Sequence, residues 1–337
     1  MSNDSSVTKT NGLKRFAASA AGRAFMALLL VFIVGAIFNA DGAFFKIGTH
    51  RDALRQASVY GILACGLTLV IISGGIDLAV GSVLALVAVC GSKMAIHWGW
   101  SGWLVVPACM MVGCVSGGLA GFVTARLRVQ PFIATLALMV IARGAAKYAS
   151  GGMKVSTAVK SAGGGYDYVD VPALFRAVDT RIFGDNLSMV TVIFVVCLIL
   201  AWLALAKHSW GRQLYAIGGN EEASRLSGVP VVWAKICAYA ASGILAAVAG
   251  ICQAAQEQQG DPEAGVGYEL IAIAMVVIGG TNLSGGRGGM GLTLLGVLTI
   301  GYLDKILSIN AVPEAGRLML TGVIIVAAVL TQRRRKT

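Results

Sequence analysis

An acid inside an apolar run is the first place to look for chemistry in this sequence. Residues 71–86 read IISGGIDLAVGSVLAL, and Asp77 is the ionisable group among them. An ionisable side chain at membrane depth is costly and is a functional candidate by default. Two roles are open to it. It is either a charged participant in a transport path or a side-chain oxygen capping a helix that restarts at Leu78 after the Gly74-Gly75 break. The pattern recurs late in the chain, where 279–286 read GGTNLSGG. Gly279, Gly280, Asn282, Leu283 and Gly286 then align with Gly74, Gly75, Asp77, Leu78 and Gly81. Asn keeps the capping oxygen and drops the charge, which favours the structural role. The recurrence suggests an internal duplication of half-bundles.

A second polar stretch lies between two apolar runs: KHSWGRQLYAIGGNEEASRLSGVPVVWAK, 207–235. Asn220 is placed to cap a short helix, and Glu221 and Glu222 suit its positive end. Gly228 terminates it and Pro230 prevents its continuation. Such a helix is either an ordinary surface turn or a docking knob for a partner. Catalytic sets are absent. His50, His97 and His208 are far apart, and no HExxH, GxSxG or paired intramembrane carboxylate occurs. Gly286, Gly288 and Gly291 spell GxGxxG, but no predicted strand precedes them, so they do not read as a dinucleotide site. Glu269 opens an apolar run, where it either faces the pathway or ends a helix near the interface.

The elements that must position these residues follow from composition. Of the 337 residues 57% are hydrophobic and 13% are charged, and the mean hydropathy is +0.78. That charged share is about half the usual one, which excludes soluble, disordered, collagen-like and coiled-coil classes. Apolar runs fall at 24–38, 57–73, 78–97, 102–125, 130–147, 187–206, 236–255, 269–284, 289–303 and 317–331. The fold expected is an all-α polytopic membrane protein, a bundle of about ten transmembrane helices. Several runs are too short to cross alone, and Gly-interrupted pairs point to broken or re-entrant segments. Gly113, Gly117 and Gly121 form a close-packing face. The seven cysteines (65, 90, 109, 114, 197, 237 and 252) lie in apolar runs without CxxC and read as small buried hydrophobes. No metal site is expected.

The first apolar run is an uncleaved span, because Phe38 stands where a cleavage site needs a small residue. Sidedness follows from the basic residues. A cytoplasmic N-terminal tail, 1–23, carries Lys9, Lys14, Arg15 and Arg23. The membrane-spanning region covers 24–331, with its inner loop at 207–235, and a basic tail, 332–337, ends the chain on the same side. The net charge of +11 therefore reads as membrane orientation rather than nucleic-acid binding. The segment 150–186 is an exposed outer excursion.

The spacing Glu222-Ala223-Ser224 with Gly228 is similar to the EAA-xxx-G loop of ABC importer permeases. With GGIDLAVGS, GRQLYAIGGN and GGTNLSGGRG, the chain resembles the ribose/xylose/arabinose family of sugar permeases over residues 55–331. Ser224 departs from the second Ala of the pattern but is small. The resemblance implies an inner-membrane permease subunit with both termini cytoplasmic. Gly211, Arg212, Asn220, Glu221, Glu222, Ala223, Ser224 and Gly228 would contact a separate ATPase subunit, which carries ATP and Mg. The permease itself would need no cofactor. The other expected partners are a periplasmic sugar-binding protein, a second permease copy and membrane lipid. Gly74, Gly75, Asp77, Gly279, Gly280 and Asn282 are expected at helix breaks or on the translocation path. Permeases for nucleosides or branched-chain amino acids share the architecture, and an ion-coupled secondary transporter is the rival from another class.

Overall fold

The computed structural model describes residues 19–160 and 165–333. Six of the basic residues expected on the inner side, at 9, 14, 15, 334, 335 and 336, lie outside them. The helices are α1 (Ala20–Ile37), α2 (Ile47–Ile72), α3 (Val80–Ser92), α4 (Gly102–Ala125), α5 (Pro131–Ser150), α6 (Ala173–Asp179) and α7 (Met189–Ala206). They continue with α8 (Ser209–Gly219), α9 (Glu221–Leu226), α10 (Val231–Glu257), α11 (Tyr268–Gly279), α12 (Met290–Ile309) and α13 (Glu314–Arg333). Eight of the described helices are long and apolar enough to cross a membrane. A wide turn, Lys93–His97, extends α3 to that length. The fold is thus an all-α polytopic membrane bundle.

The other two expected spans show why the apolar runs misjudge boundaries. α13 has 20 residues. α11 has only 12, a rise of about 18 Å against a hydrocarbon core of about 30 Å. The chain entering α11 is irregular over 258–267. Gly260 exchanges backbone hydrogen bonds with Val155, 2.8 Å each way. Gly265, at φ +72°, lies against Gly81 at the head of α3. Conversely α2 has 26 residues, a full turn or more beyond the apolar run, because Arg51, Asp52 and Arg55 form its polar N-terminal end.

At the centre α2 and α3 are walled in by neighbours. Ile62, Leu63, Leu67, Ile71 and Leu84 have no exposed surface. α4 and α10 pack most closely, and the glycine face is the reason. Gly113 and Gly117 stand against Gly243 and Tyr239, and a Cβ on Gly121 would lie 2.8 Å from the Ile236 Cα. Only small residues permit backbones that close. The cysteines are unpaired; Cys65, Cys109, Cys197 and Cys252 are buried, but Cys237 is exposed on α10, which corrects its expected burial.

The segment between α5 and α7 folds on itself. β1 (Ala158–Lys160) pairs antiparallel with β2 (Tyr166–Tyr168), and β3 (Arg181–Ile182) with β4 (Leu187–Ser188). Phe175 of α6 is buried. Ion pairs from Arg55 to Asp179 and from Arg181 to Asp52 tie the segment to the start of α2.

Candidate functional site: a docking helix joined to two helix breaks

The loop between α7 and α10 contains the helix expected from its capping residues. The Asn220 side chain accepts the Ala223 N–H at 2.9 Å. Gly228, at φ +82°, ends the helix in the left-handed region, and its N–H donates to Arg225 O. Ser224 is buried and donates to Asn220 O at 2.8 Å, so the residue that departs from the Ala pattern faces inward. Glu222 pairs with Arg225 at 2.6 Å on the exposed face. Glu221 reaches Lys235 on α10 at 2.5 Å. Lys235 was not foreseen, and its side chain is only 10% exposed, so this pair ties α9 to the bundle. Ala223 and Arg212 are exposed, and Leu226 is 80% exposed, an apolar tip on a polar helix.

α8 connects this knob to the core. Trp210 Nε1 donates to Ala234 O at 3.1 Å. Gly211 is buried, and a Cβ there would press on the carbonyls of Ala204 and Leu205. The last turn of α8 meets both glycine breaks. Gly286 N–H donates to Ile72 O at 3.0 Å, which joins the break after α11 to the end of α2. A Cβ on Gly218 would collide with Ile72 O and Gly286 N. A Cβ on Gly285 would lie 2.9 Å from both Gly218 Cα and Gly74 N, and one on Gly286 2.9 Å from Gly219 N. Tyr215 donates to Gly288 O at 3.0 Å. Gly74 at φ +80°, Gly285 at +84° and Gly286 at +71° occupy backbone space that favours glycine. Three elements therefore meet main chain to main chain.

Asp77 is 2% exposed. One carboxylate oxygen accepts the Ala79 N–H at 3.0 Å and the other the Ser242 hydroxyl at 2.8 Å. The cap expected at Leu78 is corrected in one respect. The helix begins at Val80 with Ala79 at its N-cap position, and Asp77 lies two residues earlier, closing an Asx turn. Ser242, on α10, supplies the second contact. Gly75 faces the Tyr239 hydroxyl, which donates to Ile76 O at 3.2 Å. Asn282 repeats the Asx turn, accepting Ser284 N–H at 3.2 Å. The two breaks share a backbone bond one residue out of register with that alignment: Gly75 N–H returns to Val70 O and Thr281 N–H to Val276 O, whereas the sequence pairs Gly75 with Gly280. Gly280, at φ +109°, caps α11, and Gly279 packs on Leu292 O of α12. Beyond Asn282 the halves diverge, because 283–289 form a longer loop before α12.

Arg143, on α5, makes a further contact beside this site that the sequence reading did not single out. Its Nη1 donates to Pro262 O at 2.6 Å and Ala264 O at 2.7 Å. These bonds satisfy carbonyls of the irregular segment, the condition for non-helical backbone inside a bundle. Beside it lies a concavity of about 350 Å³ that Glu269, Ser82 and Lys147 help to line. Glu269 thus sits in the first turn of α11 against Gly81. Among the described residues no group of three His, Cys, Asp or Glu could hold a metal ion. The arrangement contains no nucleophile–base pair; what it offers is an exposed handle, a rigid link and two breaks.

Residues 51–329 match the family described as branched-chain amino acid transport system / permease component. The chain is 37% identical over 311 residues to the ribose import permease protein RbsC of Haemophilus influenzae, covering 91% of both chains. It is 35% identical to the L-arabinose transport system permease protein AraH of Escherichia coli, over 91% of this chain and 88% of the relative. The fructose import permease protein FruG of Bifidobacterium longum is 34% identical with the same coverage. No solved structure matches the chain.

Proposed function

The chain belongs to the family of branched-chain amino acid transport system permease components, and from that premise we propose that it carries a monosaccharide across the inner membrane as the permease subunit of an ABC importer. It is a multi-pass membrane protein and a transport subunit rather than an enzyme; ATP is hydrolysed by a separate subunit. The observation that carries the substrate class is likeness to ribose, arabinose and fructose permeases over 91% of the chain. Amino-acid and nucleoside substrates are thereby disfavoured, although the family description names the former.

The mechanism is alternating access. The ATPase partner, which holds ATP and Mg, engages α9 through Leu226 and the exposed face of Glu222 and Ala223. Displacement of α9 carries α8 with it, since Asn220 ends one helix and caps the other. α8 shifts both breaks through Gly218. A periplasmic sugar-binding protein delivers the sugar at the end bearing the 151–188 excursion. A second copy of the chain completes the path, and both termini face the cytoplasm. The permease supplies no cofactor of its own.

Uptake by proteoliposomes containing the permease, its ATPase and its binding protein tests this reading. Sugar entry is expected to require ATP and the binding protein. Entry that continues without nucleotide and collapses with an ionophore would overturn it in favour of an ion-coupled transporter.

A further inference from the structure

A cavity of about 140 Å³ lies between α2, α11, α12 and α13, away from both the docking helix and the glycine junction. Its polar wall comprises Gln56, Tyr60, Asp304, Glu314, Arg317 and Thr321, and the remainder is aliphatic or small. Arg317 Nη1 donates to both Asp304 oxygens at 3.1 Å. Arg317 Nε is buried and unpartnered. The Tyr60 ring packs on Tyr268, with centroids 4.4 Å apart.

The Asp304 side chain is 45% exposed and the Arg317 side chain 25%, and Glu314 in the first turn of α13 is exposed, so the cavity lies at an open end of the bundle. The Asp304–Arg317 pair alone would be a sufficient structural tie between α12 and α13. It does not account for a void there, for Glu314 and Gln56 beside it, or for an unpaired guanidinium N–H. Collectively the wall offers carboxylate acceptors, guanidinium donors, an amide and the Tyr60 hydroxyl, which both donate and accept, and the Thr321 oxygen as an acceptor, its proton being given to Arg317 O at 2.9 Å. That mixture matches a polyol, whose every hydroxyl donates and accepts. The aliphatic part suits the C–H face of a sugar ring. Two carboxylates against one guanidinium leave the wall net negative, which disfavours phosphorylated or carboxylated ligands.

We propose that this cavity is a holding site for an uncharged monosaccharide on its way through the bundle. Asp304, Glu314 and Arg317 bind its hydroxyls, and Gln56, Tyr60 and Thr321 complete the contacts. The proposal rests on the monosaccharide reading above.

The test uses the complete transporter with Cys237→Ser to remove the exposed native thiol. Gln56→Cys and, separately, Thr321→Cys place a reporter thiol in the wall. The rate of modification by a small cationic methanethiosulfonate is measured with D-ribose, L-arabinose, D-fructose or ribose 5-phosphate added. Severalfold slowing by the sugar that the unsubstituted transporter carries, at either reporter, and none by the phosphate is expected. Equal rates with and without that sugar at both reporters overturn the site, and so does equal protection by the phosphate. A transporter that carries none of the three sugars overturns the monosaccharide reading instead, a result distinguishable because uptake is measured on the protein without reporters. In uptake, Glu314→Gln is expected to lower the amount of sugar moved per ATP about tenfold, the loss of one charge-assisted hydrogen bond, while binding-protein-stimulated ATP hydrolysis persists. An equal fall in both would assign Glu314 to the scaffold and count against the site.

Discussion

Replacing Asp77 separates its charge from its hydrogen bonds. In Asp77→Asn the retained oxygen still accepts the Ala79 N–H, and the Ser242 hydroxyl can turn to accept from the new amide. Among the described residues Asp77 has no ion pair to lose, and removing a buried charge relieves a desolvation cost. The net change should stay within about 1 kcal/mol. Asp77→Ala strands the Ala79 N–H and the Ser242 hydroxyl, each at about 1–3 kcal/mol, so about 2–6 kcal/mol in all. Against a typical stability of about 5–15 kcal/mol, that reduces the folded amount markedly. Ser242→Ala leaves one carboxylate oxygen short of a donor, at about 1–3 kcal/mol. The double variant Asp77→Ala/Ser242→Ala should cost less than the two single changes added together, by about 0.5–3 kcal/mol, because they share one bond. Thermal unfolding in detergent and sugar uptake normalised to folded protein provide the two readouts. If Asp77→Asn folds normally yet transports nothing, the turn-closing role is wrong and the charge itself belongs to the mechanism.

Gly218→Ala drives a methyl into main-chain atoms that have no rotamer to change, an overpacking cost of about 1–3 kcal/mol. Uptake should fall while the ATPase still co-purifies, and undiminished uptake would remove α8 from the transmission route. Leu226→Ser should leave unfolding unchanged within about 0.5 kcal/mol but reduce the recovery of ATPase with the permease. Arg143→Leu frees the carbonyls of Pro262 and Ala264, and hydrogen exchange over 258–267 should accelerate; an unchanged rate would mean that the segment is held by other contacts. Lys154 and Asp261 pair at 2.9 Å outside the spans. Partial burial opposes ionisation of Asp261, but the Glu263 N–H and the Lys154 ammonium outweigh it and hold its pKa below the usual carboxylate value. The Lys154 pKa is raised by its hydrogen bond to Asp261 and by that carboxylate's charge. The Asp261 contribution is complete above its unfolded pKa and disappears as pH falls through its lowered folded one. The Lys154 contribution is complete below its unfolded pKa and disappears as pH rises through its raised folded one. Protection of 258–267 from proteolysis should therefore be flat through the neutral range and decline at both extremes, with the acid decline absent in Asp261→Asn.

The features legible in the sequence are the local ones. Asn220, the two glutamates and Gly228 lie within nine residues, so capping rules alone outline α9. The paired Gly-Gly-x-Asp/Asn strings reveal both breaks for the same reason. Contacts between distant segments leave no such trace. Nothing near Asp77 points to Ser242, and Lys235 reads as one more basic residue at a span's edge. Gly218 resembles any loop glycine until the fold brings Ile72 and Gly286 against it. Arg143 was in principle visible as a cation in an apolar run, but its carbonyl partners belong to backbone whose irregularity is set by packing. α11 falls short for a different reason: its apolar run continues past the Gly280 break through residues that are not helical.

The glycine junction also limits which intermediate shapes the bundle can take. The final turn of α8 touches the ends of α2 and α11 at once, and a hydrogen bond from Gly286 to Ile72 fastens those ends to each other. No side chain intervenes to stretch or re-rotamerise. A push from α9 is therefore passed to both breaks at once through main-chain contact. The halves are geared together, with one coordinate where independent hinges would have two. Each permease subunit should pass between its inward and outward shapes without a stable lopsided state, and the main-chain contact that enforces this carries no net charge for ionic strength to screen.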